Sequence, residues 1–233
     1  MGKLYGVSVG AGDPQLMTLK AVSILERSEV IAVPRTGGES TLALSIAEQA
    51  VSISGKRKIY IDFPMTTDKE VLSKNYEAAA ESICKELENG DVAFIVLGDI
   101  SVYSTFSHIC GLVEKRGFEI EICAGVTSFC AAAALLKLPL CLGNEELHII
   151  TYSCGDIERA LELKGTKVIM KAGRKAAGLI EVIKKKGLAE CTIAVSDCGL
   201  EGERIYGSVD DIDAEPGYFT LFIVTDRKNI NEA

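Results

Sequence analysis

Short runs of β-branched and apolar residues alternate with amphipathic stretches along the chain, and three of the early runs end in a glycine-bearing junction that leads into a helical pattern. This alternation restricts the chain to an α/β layered fold with a largely parallel sheet, because parallel neighbours need a crossover element between them. Strand candidates in the first half are Lys3–Gly10, Val30–Val33, Lys58–Ile61, Val92–Leu97 and Glu119–Cys123. The apolar spacing between them predicts helices over Leu16–Arg27, Lys69–Glu88, Tyr103–Lys115 and Ser128–Leu136.

Leu138-Pro139-Leu140 cannot continue a helix and Gly143-Asn144 is a turn signal, so a domain boundary is expected between Gly117 and Gly143, with halves taken as 1–123 and 124–233. The second half offers strands at Leu147–Thr151, Lys167–Lys171, Thr192–Val195, Glu203–Tyr206 and Phe219–Val224. Its two helices, Ile157–Leu163 and Lys175–Lys186, are fewer and shorter, which predicts more antiparallel pairing and a mixed sheet.

Charge narrows the function. With 25 basic and 33 acidic residues, the net charge of −8 has the wrong sign for a general partner of nucleic acid or of an anionic membrane. The longest uncharged stretch, Ile122–Leu136, is 15 residues, shorter than the ~18 that a membrane span needs, and is expected to be a buried helix. No basic, apolar leader is readable at the start, which points to a cytoplasmic protein. The eight cysteines contain no CxxC pair and the histidines number two, so reduced, buried thiols and no bound metal are expected.

Chemistry concentrates in three junctions. Gly10-Ala11-Gly12-Asp13-Pro14 follows a strand and precedes a helix, where glycines admit a ligand to the backbone. Two features argue against a dinucleotide fingerprint: the third glycine would fall on Gln15, and the next strand ends Val33-Pro34-Arg35 without a carboxylate; no GK[ST] follows to make a P-loop. Locally, Asp13 and Pro14 are also a helix cap and first position. The second junction is Leu97-Gly98-Asp99-Ile100-Ser101-Val102-Tyr103-Ser104-Thr105, and the third is Ala124-Gly125-Val126-Thr127-Ser128, whose hydroxyls suit either a cap or a ligand. Loops at the carboxyl ends of parallel strands are where α/β sheets hold ligands.

In order and spacing these junctions resemble the tetrapyrrole (corrin and porphyrin) methyltransferase family, which pairs GxGxGDPxLLTLKA near the start with a GDPxxYS-type loop near 100 and PGxTS near 125. The register runs from Val7-Ser8-Val9-Gly10 through Leu16-Met17-Thr18-Leu19-Lys20-Ala21 and continues to Val33-Pro34 and Leu138-Pro139-Leu140, so nearly the whole chain is covered. Phe63-Pro64-Met65-Thr66, Asp68 and Val102-Tyr103-Ser104-Thr105-Phe106 are similar to the branch that methylates C20 of precorrin-2 or cobalt-factor II. Three positions depart from the pattern: Ala11, Ile100 and Ala124 stand where the family has proline, which removes rigid φ angles but no functional group.

The resemblance implies two α/β domains with S-adenosylmethionine in the cleft between them, usually as a homodimer. Cofactor contacts would come from Gly10 and Ala11 in the first loop, Leu97, Gly98, Asp99 and Val102 in the second, and Thr127 and Ser128 in the third. The second domain would add Tyr152, Met170, Lys171 and Ala194. A methyl cation would pass from the sulfonium to the electron-rich C20, a step that loses charge and is helped by a dry site and in-line positioning. Tyr103 and Asp99 are the candidate catalytic residues, for orientation and proton handling. The substrate's eight carboxylates call for basic residues, and Arg35, Lys171 and Arg174 lie near predicted loop ends. Lys184-Lys185-Lys186 is expected to be a solvated helix end, and His108 a packed helix residue with no metal role. Three alternatives remain at this point: a family member acting at another ring carbon or on diphthamide, a SAM-binding module without catalysis, and a dinucleotide-dependent oxidoreductase.

Overall fold

β1 (Lys3–Ser8) and β4 (Val92–Val96) are apolar on both faces and almost wholly buried, which places them inside a sheet rather than at its rim. The computed structural model describes residues 2–36, 42–212 and 216–226, with the backbone alone at Arg174. Contacts divide the chain into two compact units, Met1–Ser128 and Phe129–Ala233.

In the first unit, β2 (Val30–Thr36), β3 (Arg57–Phe63) and β5 (Glu119–Cys123) complete a five-stranded, all-parallel sheet in the order β3-β2-β4-β1-β5. From β1 the chain crosses toward β2, and from β4 it crosses the other way to β5. The carboxyl ends of β1 and β4 therefore form a topological switch point, with the end of β5 beside them.

Helices cover this sheet, and their starts follow local chemistry. Asp13 accepts from Gln15 N–H and caps a short 3-10 turn, Pro14–Leu16, and Thr18 Oγ1 accepts from Ala21 N–H to start α1 (Leu19–Arg27). The single helix expected over Leu16–Arg27 is thus two elements with separate caps. α2 (Leu42–Ala50), which no expectation assigned, buries Ala43, Leu44, Ile46 and Ala47. α3 (Lys69–Leu87) is capped by Asp68 and buries Ala79, Ala80, Ile83 and Leu87. α4 (Phe106–Glu114) starts three residues later than expected because Tyr103 takes a left-handed φ of 53° and Ser104 Oγ accepts from Phe106 N–H. Phe94 and Phe106, with ring centroids 5.4 Å apart, join Leu4, Ile83, Leu87 and Ile109 in one core.

The uncharged stretch Ile122–Leu136 is not one helix: as the strand expected at Glu119–Cys123 and the helix expected at Ser128–Leu136 require, Ile122 and Cys123 end β5, residues 124–127 are loop, and α5 (Ser128–Leu135) is only eight residues long. No helix among the described residues is long and apolar enough to cross a membrane.

In the second unit, β6 (Leu147–Thr151), β7 (Thr166–Met170), β8 (Thr192–Ser196), β9 (Arg204–Tyr206) and β10 (Thr220–Val224) form a mixed sheet in the order β6-β7-β10-β8-β9. β10 runs antiparallel to β7 and β8, and β8 to β9, while β6 and β7 are parallel and joined through α6 (Ile157–Ala160). α7 (Ala176–Lys185) packs Ala176, Leu179 and Ile183 against Ile169, Ala194 and Phe222. The three lysines expected to be solvated, Lys184, Lys185 and Lys186, pair with Asp210, Glu158 and Glu162.

All eight cysteines are free, but only Cys84, Cys123 and Cys191 are buried. Cys130 on α5 and the loop residues Cys141 and Cys154 are exposed, correcting the expectation of buried thiols.

Candidate active site

Three loops leave the carboxyl edge of the parallel sheet side by side. The first and second are stitched by their glycines: Gly98 N–H donates to Gly10 C=O at 2.7 Å, and Gly10 N–H donates back to Gly98 C=O at 3.3 Å. Both residues have left-handed φ, 76° at Gly10 and 74° at Gly98, a conformation that costs a side-chain-bearing residue roughly 1–2 kcal/mol.

The second loop is joined to the third through Asp99, which is buried. One carboxylate oxygen accepts from Gly125 N–H at 2.6 Å, and the other accepts from the Ser101 N–H at 2.8 Å and from the Ser101 hydroxyl. Burial pushes this carboxyl up, but the bonds from Gly125 and Ser101 outweigh it and hold its pKa below the usual aspartate value. Gly125 fits because it has no side chain: a Cβ there would sit 2.4 Å from Ser8 Cβ and 2.8 Å from Gly98 O. With both oxygens engaged, Asp99 orders the two loops and offers no free carboxylate.

Gly98 has the opposite surroundings. A Cβ built on it meets nothing within 4 Å, so the backbone of the second loop faces open space just beyond the switch point. A ligand rich in hydrogen-bonding groups that rests on main chain fits this edge, and the loop presents no basic side chain that would repel a sulfonium. Ala11 and Gly98 are buried beside it, while Leu97 and Val102 are half-buried. Gly98→Ala is expected to lower stability by about 1 kcal/mol through the φ alone, and to weaken ligand binding by more than that because the new methyl group projects into the open space. Melting temperature and S-adenosyl homocysteine affinity, measured on one preparation, separate the two effects.

The remaining expected residues divide between the units. Tyr103 is 47% exposed and left-handed, an uncommon conformation for a bulky residue that marks a constrained loop. Thr127 and Ser128 are half-buried at the start of α5. In the second unit, Tyr152 N–H donates to Met170 C=O at 2.9 Å, so Tyr152, Met170 and Lys171 meet at the carboxyl ends of β6 and β7. Lys171 has a left-handed φ of 57°; much of its side chain is exposed, yet burial by its surroundings lowers its pKa below the ordinary lysine value. Ala194 is fully buried in the middle of β8, opposite Phe222 and Tyr206, with its side chain in the apolar core.

Among the basic candidates, Arg35 binds Asp62 through two bonds of 2.7 Å across the β2–β3 register and stacks 4.9 Å from the Tyr60 ring. The Arg174 side chain lies outside the described residues. His108 is exposed and stacks on Tyr76, with ring centroids 4.7 Å apart. Among the described residues, no cluster of His, Cys, Asp and Glu is arranged to hold a metal ion. Ser8, fully buried at the end of β1, bonds Ile100 N–H in the second loop and the Cys123 carbonyl at the base of the third, and sequence reasoning did not single it out.

A sequence profile of the Tetrapyrrole (Corrin/Porphyrin) Methylases matches residues 3–213. The chain belongs to this family. Its methylase relatives include a probable cobalt-precorrin-2 C(20)-methyltransferase of Methanocaldococcus jannaschii, 42% identical over 226 residues and 95% of each chain. The cobalt-precorrin-2 C(20)-methyltransferase of Salmonella typhimurium is 32% identical over 232 residues and 96% of each chain. The solved uroporphyrin-III C-methyltransferase of Thermus thermophilus, complexed with S-adenosyl homocysteine, has a TM-score of 0.69 and 19% identity, covering 97% of this chain and 98% of that one. It establishes a shared fold.

Proposed function

We propose that this methylase transfers a methyl group from S-adenosylmethionine to C20 of precorrin-2 or its cobalt form, in cobalamin biosynthesis. The observation that carries the proposal is 42% and 32% identity, over nearly the full length of both chains, to two proteins named for that reaction. Those names favour the cobalt-bearing substrate. The homodimeric state is carried over from the family resemblance, and the cytoplasmic setting is proposed from the sequence reading.

When bound, S-adenosylmethionine supplies an activated methyl group on a sulfonium. Gly10, Ala11, Leu97, Gly98 and Val102 would hold it largely through main chain, with Thr127 and Ser128 adding hydroxyls, and Asp99 keeping the second and third loops in register. Tyr152, Met170, Lys171 and Ala194 are the proposed contributors from the second unit. Tyr103 is the group assigned to orient the substrate or move its proton, since its constrained backbone fixes where a phenol is presented. Orientation of this kind is worth ~7–11 kcal/mol of barrier where geometry is well held.

The test is anaerobic incubation with methyl-labelled S-adenosylmethionine and, separately, precorrin-2 and cobalt-factor II, with the new methyl located by mass and carbon NMR. One methyl at C20 is expected, formed faster on the cobalt substrate. A methyl at another carbon would move the enzyme within its family, and binding of the methyl donor without transfer would end the catalytic reading.

A further inference from the structure

We propose that Ser8 is a positioning residue: its hydroxyl ties the second loop and the base of the third to the end of β1, and replaces the stiffness that proline gives at position 100 in the family pattern. The inference rests on reading these loops as the cofactor cradle. Ser8 stands in register with the first glycine of the GxGxGDP pattern, and its side chain is fully buried. Its Oγ donates to Cys123 C=O at 2.8 Å and accepts from Ile100 N–H at 2.9 Å, contacts that span 115 and 92 residues of sequence.

The second contact gives the chemical reason. Proline has no N–H, so a chain with proline at 100 could not donate there, and glycine at 8 could not accept. Ser8 and Ile100 therefore work as a pair, in which a hydrogen bond does what a fixed φ would otherwise do. The first contact reaches Cys123, next to Ala124, a second site of lost proline. Gly125 completes the arrangement, because the space a side chain would need at 125 is filled by Ser8 Cβ.

Removing the hydroxyl leaves a buried N–H and a buried C=O without partners at the loops that would hold the cofactor. The test is a double-mutant cycle of wild type, Ser8→Ala, Ile100→Pro and the double variant, read by calorimetric titration with S-adenosyl homocysteine well below the melting temperature. Ser8→Ala is expected to weaken binding about tenfold, raising KM for S-adenosylmethionine with little change in KM for the tetrapyrrole. Ile100→Pro is expected to cost about tenfold in the wild-type background but under about threefold beside Ser8→Ala, because the bond is then already gone. Loss of the Ile100 side chain from the core would cost the same in both backgrounds, so multiplying losses, or wild-type affinity in Ser8→Ala, would overturn the clamp.

Amide exchange at Ile100 decides the matter without ligand. Ser8→Ala should speed it about tenfold, as expected where a buried bond limits local opening, and unchanged exchange would overturn the proposal. If the wild-type chain binds no S-adenosyl homocysteine, the proposed function fails while exchange still judges the clamp.

Discussion

Asp99→Ala is expected to weaken S-adenosyl homocysteine binding about a hundredfold and to reduce methyl transfer at low cofactor concentration by the same factor. The substitution removes one acceptor from two loops at once, releasing Gly125 N–H and both donors of Ser101. Hydrogen bonds to a charged group contribute about 1.5–3 kcal/mol each, and the exposed edge of the site lets water recover part of that loss. A hundredfold corresponds to about 2.7 kcal/mol. Asp99→Asn should fall between, since an amide keeps one acceptor but turns an NH2 group toward donors.

Acid titration provides a second check on Asp99. Its folded pKa is lowered, so its contribution to stability is fully present above the unfolded value of about 3.9 and is lost as pH falls through the folded value. Wild type should therefore lose stability more steeply than Asp99→Asn below about pH 4, with parallel curves above. Equal slopes would show that the carboxylate is not held by those bonds.

The parallel sheet was legible in the sequence because β1 and β4 are apolar on both faces, a pattern that survives wherever they pack. The three glycine junctions were legible as well, since their spacing is local. What Asp99 does was not, because its partner Gly125 lies 26 residues away and is brought near only when β1 seats between β4 and β5. Ser8 escaped notice for a related reason: a serine ending an apolar strand carries no local signal, and its partners, Ile100 in the second loop and Cys123 at the end of β5, are distant in sequence. The late start of α4 follows from backbone strain at Tyr103, which side-chain periodicity does not encode. Parallel pairing of β6 and β7 was hidden by the shortness of α6, only four residues of a crossover that is otherwise turn. The missed helix α2 differs, because its run of alanine, leucine and isoleucine was in plain view and was left unassigned.

Asp226→Ala should be the most destabilising charge removal in the second unit, by about 2–3 kcal/mol. Lys167, in β7, has its side chain 1% exposed; its ammonium lies 2.7 Å from Asp226 Oδ1 and 3.1 Å from Leu163 O. Asp226 Oδ2 also accepts from Gly165 N–H at 2.5 Å, tying the segment just past β10 to the entry of β7. Burial raises the Asp226 pKa, and the bonds from Lys167 and Gly165 more than reverse this, so the pairing favours the charged carboxylate. Breaking a fully buried pair by removing one partner costs about 3–5 kcal/mol because a charge is left alone. Asp226 is half-exposed, so water reaches the orphaned lysine and the loss is smaller. A loss of this size would lower the melting midpoint by roughly 10 °C for a unit of about 100 residues. Lys167→Met should cost under about 1 kcal/mol, since its apolar stem is kept and no buried charge remains. The double variant should then melt close to Lys167→Met. Equal losses from the two single variants, adding in the double, would show that the pair acts as two independent surface groups. Met170 and Lys171 lie at the far end of the same strand, so cofactor affinity measured on Asp226→Ala below its melting range also reports whether β7 transmits the disturbance to them.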